Sequence, residues 1–452
     1  MEQQRERLGS RLGFILLSAG CAIGCGNVWK FPWMCGQNGG GAFVLLYLVF
    51  LVILGLPVMT MEFSLGRAAQ TSPVRMYRTL APKQKQWHFQ GAASLAGNVL
   101  LMMFYTSVAG WILYYFIKFL SGSMTGLTPE AVDGVFSGMM ASPAIMVGFM
   151  ALVVVLGFAV LSLGLQGGVE RVTKYMMLAL LGLMAVLAIH SFTLSGAAEG
   201  LRFYLLPDLS KLDGSVVVGA MNQAFFTLSL GIGSMAIFGS YIGKEHALMG
   251  ESLNIIVLDT AVALVAGLII FPACFTFGVE PGAGPRLLFI AMANVFSGMA
   301  GGRWWGSLFF LFMFFAAMST VLAVFENILA CVRELTGWSR RKACLICCAA
   351  ILLLSLPCAL GFNLLSGVHP FGGDSGILDL EDFIVSNCLL PLGSLVVVLF
   401  CTRKSGFGWE RFMEEANTGK GLRVKNWMRG YMTYVLPLII LAVFLIGIVT
   451  FF

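Results

Sequence analysis

Long runs of uncharged, apolar residues are the feature that most restricts the fold of this chain. Residues 42–61 (AFVLLYLVFLVILGLPVMTM) and 144–163 (AIMVGFMALVVVLGFAVLSL) are each long enough for a helix to cross a bilayer, which takes about 20 residues. Only 11% of the 452 residues are charged and 58% are hydrophobic, whereas soluble domains carry about 25% charged residues. Short alternating strands, the mark of a membrane barrel, are not seen. The sequence therefore predicts an all-α membrane protein.

About eleven transmembrane spans are expected from the hydropathy pattern. They lie near 12–35, 41–66, 91–120, 143–164, 173–194, 213–242, 250–278, 305–332, 344–364, 381–402 and 430–452. If the N-terminus is cytoplasmic, the segments on that side hold 22 of the 28 Lys and Arg residues, an excess typical of the cytoplasmic side. The odd span count then places the C-terminus outside. The polar N-terminal segment shows no cleavable signal pattern.

Two spans carry glycine clusters near their centres. The first reads SAGCAIGCGNVWKFP (18–32) and the sixth reads FFTLSLGIGSM (225–235). Glycine weakens a helix by about 1 kcal/mol relative to alanine, and a break at membrane depth is tolerated only where the freed backbone lines a cavity. Close helix packing is the alternative for either span alone. Because the two clusters lie about 200 residues apart, they indicate matching positions in two repeats and a transporter binding site between them.

Apart from acids in the first two residues of a span, three of the 22 acidic residues fall inside the expected spans, namely Glu62, Asp259 and Glu326. A charge at the bilayer centre costs about 2.5–3.5 kcal/mol on insertion scales, so each residue needs a partner or a function. Asp259 is nearest the centre and has no basic neighbour in its helix, which favours a cation ligand over a protonated structural carboxyl. Glu62 and Glu326 are expected to have structural roles, such as binding the free amides of a broken helix.

Small oxygen-bearing side chains accompany these features: Asn27, Thr227, and the pair Ser319 and Thr320. Sodium is a hard cation that prefers carbonyl, hydroxyl and carboxylate oxygens. A single Ser or Thr in a span often bonds the carbonyl four residues earlier instead, so the pair alone leaves both readings open.

Residues 11–43 (RLGFILLSAGCAIGCGNVWKFPWMCGQNGGGAF) resemble the first-helix signature of the neurotransmitter:sodium symporter family, in its bacterial amino-acid-transporter branch. The resemblance continues through 55–67 and 259–272 and covers nearly the whole chain. It implies a 5+5 inverted repeat with helices 1 and 6 unwound at the midplane, in a bacterial cytoplasmic (inner) membrane. The expected division is a first repeat of spans 1–5 (1–212), a second of spans 6–10 (213–402), and a cytoplasmic loop with a peripheral span 11 (403–452).

The resemblance also implies two sodium sites. The first lies between the Ala22 carbonyl, Asn27, Thr227 and Asp259, with the substrate carboxylate as a further ligand. A shared ligand makes the binding of sodium and of substrate reciprocal. The second lies between the carbonyls of Gly20, Ile23 and Ala316 and the hydroxyls of Ser319 and Thr320, and joins span 1 to span 8.

Gly24 occupies the position at which monoamine carriers of the family have an aspartate for the ligand amine. The ligand is therefore expected to bring its own carboxylate, as an amino acid does. The implied substrate site consists of Ala22, Gly24, Gly26, Leu101, Tyr105, Val108, Phe226, Thr227, Ser229, Ile232, Thr320 and Val324. Its apolar lining favours a neutral hydrophobic amino acid, because a charged side chain would stay unpaired.

Gates are implied by the same resemblance. Phe226 and Tyr105 cover the substrate, Lys30 pairs with Asp382 outside it, and Arg5 pairs with Glu334 on the cytoplasmic side. The family more often has arginine at the Lys30 position. Because lysine makes no bidentate pair with a carboxylate, we expect a looser outer gate.

Several departures from the family pattern affect mechanism. Asp259 replaces the asparagine of the animal members, and its fixed charge predicts independence from chloride. Many bacterial relatives have a proline near Leu178, which is absent from GGVERVTKYMML (167–178). The usual account of inner-site release by unwinding of span 5 is therefore not expected to apply. The twelfth span common in the family is absent, and loop 121–142 lacks cysteines and glycosylation sequons, as in prokaryotic members.

The sequence thus predicts a sodium-coupled symporter that imports a neutral hydrophobic amino acid by alternating access. A proton-coupled permease of the same fold and a sensor that binds without transporting are the alternatives; Asp259 with Ser319 and Thr320 favours sodium. An enzyme is not expected, because nucleophile–base constellations and nucleotide loops are missing. A basic soluble face for nucleic acid is missing as well. The individual amino acid and the oligomeric state stay open.

Overall fold

The computed structural model describes residues 8–278, 280, 287–373 and 375–449, and the described part is helical almost throughout. The principal helices are α1 (Arg11–Ala22), α2 (Gly26–Gln37), α3 (Gly41–Ala69), α4 (Lys85–Leu120), α5 (Pro143–Ser162), α6 (Leu165–Ser191), α7 (Gly214–Thr227), α8 (Ser234–Gly239), α9 (Leu248–Phe277), α10 (Gly302–Thr336), α11 (Arg340–Leu360), α12 (Ile377–Thr402) and α13 (Met428–Val449). Shorter helices lie in the connections, at Pro73–Leu80, Pro129–Ala141, Ala197–Leu205, Leu288–Gly298 and Trp409–Asn417.

The transmembrane spans follow the expected order. Among the described residues, nine helices are long and apolar enough to cross a membrane, and α1 with α2 adds a tenth span that bends by 53° at its break. The remaining expected span is divided into α7 and α8, and each of these pieces alone is too short to cross. The prediction of an all-α membrane protein with interrupted first and sixth helices is confirmed.

One boundary differs clearly from the prediction. The fifth span was expected from residue 173, but α6 begins at Leu165. Its polar first turn is protected because Glu170 packs onto the start of α1. The Glu170 carboxylate accepts hydrogen bonds from the Gly9 amide (2.8 Å) and the Ser10 hydroxyl (3.2 Å).

Widened helical turns recur just before prolines inside the spans. The turns Leu51–Gly55, Phe383–Leu389 and Tyr431–Val435 have π-helical hydrogen bonding and precede Pro57, Pro391 and Pro437, respectively. A proline has no N–H to donate and its ring clashes with the carbonyl four residues earlier. Insertion of one extra residue into the turn relieves the clash and lets the helix continue.

A buried arginine organises the cytoplasmic face. Arg67, near the end of α3, is fully buried and donates to Glu415 Oε1 at 2.6 Å in the helix Trp409–Asn417. It also donates to the Glu415 carbonyl and to the carbonyls of Gly243 (3.3 Å) and His246 (2.8 Å) in the loop before α9. One guanidinium thereby joins three segments that are distant in sequence.

Candidate substrate and ion-binding site

The break in the first span is held open by side chains that replace backbone partners. α1 ends at Ala22, and the Gly24 amide donates to the Asn27 side-chain oxygen at 3.2 Å. The Gly26 carbonyl accepts a hydrogen bond from the Gln223 amide of α7 at 3.0 Å. Both freed groups lie in the protein interior, where an unpaired backbone group is costly.

The second break depends on left-handed backbone. Gly231 and Gly233 have φ angles of +94° and +73°, which glycine adopts without strain, and Ser229 also has a positive φ of +50°. Glu62 of α3 accepts hydrogen bonds from the amides of Gly231 (2.5 Å) and Met235 (3.2 Å). The prediction that Glu62 binds free amides of a broken helix is thus confirmed.

Glu326 also has a structural role, but it does not bind the free amides of a broken helix. Its carboxylate pairs with Arg340 at 2.5 Å and accepts a hydrogen bond from the Tyr241 hydroxyl at 3.1 Å. Side chains, rather than loose amides, therefore satisfy this buried acid.

Asp259 is the centre of the first oxygen cluster. The Asn27 amide donates to its carboxylate at 2.8 Å and to its carbonyl at 3.1 Å, and the Thr227 hydroxyl lies 3.3 Å from Oδ2. These residues come from α2, α7 and α9, so both breaks contribute to one place. Three of the four predicted ligands of the first sodium site are in direct contact, and Ala22 lies at the adjacent cavity wall.

A second oxygen cluster joins α10 to the end of α1. Ser319 Oγ lies 2.9 Å from the Ala316 carbonyl and 3.3 Å from the Ile23 carbonyl, and Thr320 Oγ1 lies 3.2 Å from the Gly20 carbonyl. The oxygens of all five residues predicted for the second sodium site therefore converge. Hydroxyl and carbonyl oxygens in a water-poor interior are suitable ligands for a hard monovalent cation.

A small cavity of about 20 Å³ lies between the two breaks. This volume holds about one water molecule, so a larger ligand requires the surrounding side chains to move apart. Nine of the twelve residues predicted for the substrate site line it: Ala22, Gly24, Gly26, Leu101, Tyr105, Phe226, Ser229, Ile232 and Thr320.

Three predicted substrate residues do not line this cavity. Thr227 faces Asp259, Val324 is fully buried in α10, and Val108 lines a second cavity above the first. Conversely, Cys21, Val385 and Leu390 line the inner cavity although the sequence did not single them out. Val385 lies within the widened turn before Pro391, and Leu390 directly follows that turn. That proline, in the middle of an apolar span, was the available signal.

Tyr105 and Thr320 pack closely around Gly24 in the cavity wall. A methyl group added at this position would lie 2.3 Å from the Tyr105 hydroxyl and 2.5 Å from Thr320 Oγ1. A side chain at this position would therefore have to displace the Tyr105 and Thr320 hydroxyls.

Two layers of side chains cover the cavity on its outer side, and a second cavity lies above the first of them. Tyr105 and Phe226 line both cavities and form the partition between them. Above them, Lys30 Nζ lies 3.6 Å from Asp382 Oδ2, so the predicted outer pair is present, and it lies 3.7 Å from the centroid of the Phe226 ring. The ammonium makes a single contact with the carboxylate, as expected of lysine.

Only one member of the predicted cytoplasmic pair lies among the described residues. Arg5 lies outside the described residues. Its predicted partner Glu334 accepts hydrogen bonds from the Ser72 amide (2.8 Å) and the Ser72 hydroxyl (2.6 Å), which ties α10 to the start of the helix Pro73–Leu80.

Comparison with known proteins agrees with this architecture. The model of the sodium:neurotransmitter symporter family matches residues 5–128 and 136–452. A sodium-dependent transporter of Bacillus subtilis, YhdH, is 36% identical over 458 residues and 100% of both chains. A sodium-dependent transporter of Haemophilus influenzae is 33% identical over 98% of both chains. The crystal structure of MhsT in complex with L-phenylalanine superposes with a TM-score of 0.88 at 37% identity, over 98% of this chain and 99% of that one.

These features define a multi-pass membrane transporter with two interrupted helices around an enclosed site, and not an enzyme. The chain belongs to the sodium:neurotransmitter symporter family. The family prediction made from the first-helix motif is therefore confirmed, and so is the fold class.

Proposed function

We propose that the protein is a sodium-coupled symporter that imports a neutral hydrophobic amino acid by alternating access, independently of chloride. The observation that carries this proposal is the enclosure of Gly24 by Tyr105 and Thr320. No acidic side chain fits at this position to hold an amine, so the ligand supplies the carboxylate itself.

The neighbouring polar groups suit such a carboxylate. The Cys25 amide donates to the Tyr105 hydroxyl at 2.9 Å, which leaves the phenolic proton of Tyr105 available to a ligand. A carboxylate between Tyr105 and the first oxygen cluster would also complete the coordination of a sodium ion near Asp259. Sodium and ligand then stabilise each other's binding, and this mutual effect is the coupling in symport.

The rest of the cavity favours an apolar side chain. Leu101, Ile232, Val385 and Leu390 contribute hydrocarbon to its wall, and among the described residues no Lys, Arg, Asp or Glu lines it. A charged substrate side chain would lose its hydration without gaining a partner. Crystalline MhsT, with 37% identity, contains L-phenylalanine, which agrees with a ligand of this class.

Two sodium ions are proposed as co-substrates, one in each oxygen cluster. The cluster at Asp259 includes a carboxylate and stays next to the substrate, whereas the cluster at Ser319 and Thr320 is formed of neutral oxygens and joins α1 to α10. The fixed negative charge of Asp259 takes the place of a bound chloride ion. The alternating exposure of the site involves two repeats, residues 1–212 and 213–402, with 403–452 peripheral. The N-terminus is proposed to be cytoplasmic and the C-terminus external, in the bacterial inner membrane.

Uptake into proteoliposomes tests this function. Labelled leucine, tyrosine and tryptophan are expected to accumulate under a sodium gradient, unchanged when gluconate replaces chloride, while lysine and glutamate fail to compete. Accumulation with choline in place of sodium, driven by a pH gradient, would identify a proton-coupled permease instead. Sodium-dependent binding without accumulation would identify a sensor. Preference for a charged amino acid contradicts the substrate proposal.

A further inference from the structure

Glu381 is a buried acid that the transport mechanism described above does not use. It lies in the outer part of α12, directly before the gate residue Asp382, and only 4% of it is exposed. Its Oε2 atom is enclosed and has no hydrogen-bond partner among the residues that the structure describes. A carboxyl group in this position differs from Glu62 and Glu326, whose oxygens are all supplied with donors.

The groups around Glu381 offer little to an ionised carboxylate. The outer part of α12 packs against α4 and α11. From α11 the Cys358 thiol lies beside the carboxyl, and from α4 the Ser107 hydroxyl lies beside the same thiol. Ser107 Oγ itself lacks a hydrogen-bond partner in the described part of the chain. A thiol is a weak donor and does not replace the hydration of a charged oxygen.

The charged groups nearby do not compensate either. Asp379 and Asp382, on the same segment, are both acidic and disfavour a further negative charge. Lys30 of α2, the cation paired with this segment, is engaged by Asp382 and by the Phe226 ring. Among the described residues no basic side chain forms an ion pair with Glu381. With the outer pair closed, burial therefore favours the neutral, protonated form of this carboxyl.

The same carboxyl is close to a water route when the gate opens. Asp382 and Leu378, one turn apart on α12, line the outer cavity above Phe226. Glu381 lies on the adjoining face of this segment. Separation of Asp382 from Lys30 would free this segment to move and admit water to Glu381. A hydrated glutamate has a pKa of about 4.3 and is ionised at neutral pH, so opening would release a proton and closing would take one up.

We propose that Glu381 is a proton-binding site, and that the outer gate closes only when this site is occupied. The inference rests on the proposed function, to which it adds an extracellular proton as a ligand of the closed state. On closing, the carboxylate takes a proton from extracellular water and becomes a neutral carboxyl. On reopening it returns the proton to the same side. The proton is therefore not transported; it shifts the balance between open and closed gate.

The linkage between proton binding at Glu381 and closing of the gate determines the direction of the pH effect. Because the closed state holds one more proton than the open state, raising the external pH favours the open gate. The effect is up to tenfold for each pH unit over the range in which the closed carboxyl is protonated and the open one is ionised. Glu381→Gln is permanently neutral, so this variant is expected to keep the closed gate favourable at every pH. Glu381→Asp retains an acid and is expected to restore the dependence on pH.

Cys25 provides a readout of the gate that needs no substrate, because it lines the outer cavity beneath the Lys30–Asp382 pair. Its maleimide labelling is measured on the purified protein in nanodiscs across a series of pH values, with Cys25→Ser as the blank. The ratio of the wild-type rate to the Glu381→Gln rate removes the pH dependence of the thiol itself. We expect this ratio to rise with pH, and Asp133→Asn, which removes an exposed acid of a different segment, to behave as wild type.

The outcomes separate the two proposals. A ratio that stays constant with pH overturns the proton site, whatever the transport assays show. A rising ratio in a protein that shows no sodium-dependent binding of L-phenylalanine or leucine overturns the proposed substrate and leaves the proton site in place. Thermal unfolding of each variant checks that it is folded, and Glu381→Asp supplies the test if Glu381→Gln is not.

Discussion

The Tyr431 hydroxyl donates a hydrogen bond of 2.6 Å to the Ile53 carbonyl. Pro57, four residues after Ile53, has no N–H to give to that carbonyl. The Tyr431 hydroxyl of α13 therefore gives the Ile53 carbonyl a hydrogen bond that Pro57 of α3 cannot donate. This contact attaches the peripheral last span to the second span within the apolar phase, where water is not present to substitute.

Tyr431→Phe is expected to loosen α13. Removal of the hydroxyl leaves the Ile53 carbonyl without this donor, at a cost of about 0.5–1.5 kcal/mol, the usual net contribution of one hydrogen bond. Thermal unfolding in detergent measures the loss as a lower midpoint. Tyr434→Phe is the matched control, because Tyr434 is 71% exposed and lies on the same helix; an equal shift in both variants argues against the contact.

Gly24→Ala is expected to abolish substrate binding while the protein remains folded. The added methyl group would come within 2.5 Å of both the Tyr105 hydroxyl and Thr320 Oγ1 and would displace the groups that meet the ligand carboxylate. Equilibrium binding of L-phenylalanine should weaken by more than about tenfold, or 1.4 kcal/mol. Gly148→Ala, in open space on α5, serves as the control. Undiminished affinity in Gly24→Ala places the ligand elsewhere.

Asp259→Asn is expected to weaken sodium binding and to introduce a response to chloride. The substitution preserves the shape and the contacts with Asn27 and Thr227 but removes the negative charge. Sodium activation of uptake should shift to at least about tenfold higher concentration, and chloride should then accelerate uptake.

The control for this variant is Asp133→Asn in the exposed helix Pro129–Ala141. If Asp259→Asn responds to sodium as the wild type does, the carboxylate is not part of the ion site.

Lys30→Arg is expected to tighten the outer gate. Arginine presents two parallel donors to a carboxylate where the lysine makes one contact with Asp382 at 3.6 Å. A partly exposed pair contributes about 0.2–1 kcal/mol, so dissociation of bound amino acid should slow about two- to fivefold. Asp382→Asn should accelerate it. Stopped-flow release separates these rates, and Lys118→Arg controls for the exchange of cation. Faster release from Lys30→Arg is the contrary result.

The positions of the spans and the interrupted helices could be predicted because both depend on local composition. Apolar runs of bilayer length and the glycines at 231 and 233 constrain the backbone wherever the helix lies. Asp259 could likewise be predicted as a functional residue, because an acidic side chain inside an apolar span is costly unless it has a partner or a function.

Contacts formed by packing were not predictable in the same way. Val385 and Leu390 line the cavity at a widened turn of α12. The start of α6 at Leu165 is accompanied by a hydrogen bond from the Gly9 amide to Glu170. The difference between Glu62, which binds amides, and Glu326, which binds Arg340, arises from neighbours about 170 residues away in one case and 14 in the other. Hydropathy and spacing carry no information about such partners.

The buried guanidinium of Arg67 has a consequence for the path of water from the cytoplasm. Its hydrogen bonds to Glu415, Gly243 and His246 join the end of α3, the loop before α9 and the helix Trp409–Asn417. Removal of the partners of a buried charge costs about 3–5 kcal/mol, so these segments move together as one block. A route from the cytoplasm to the cavity that leaves these hydrogen bonds intact therefore runs around this block and not through it.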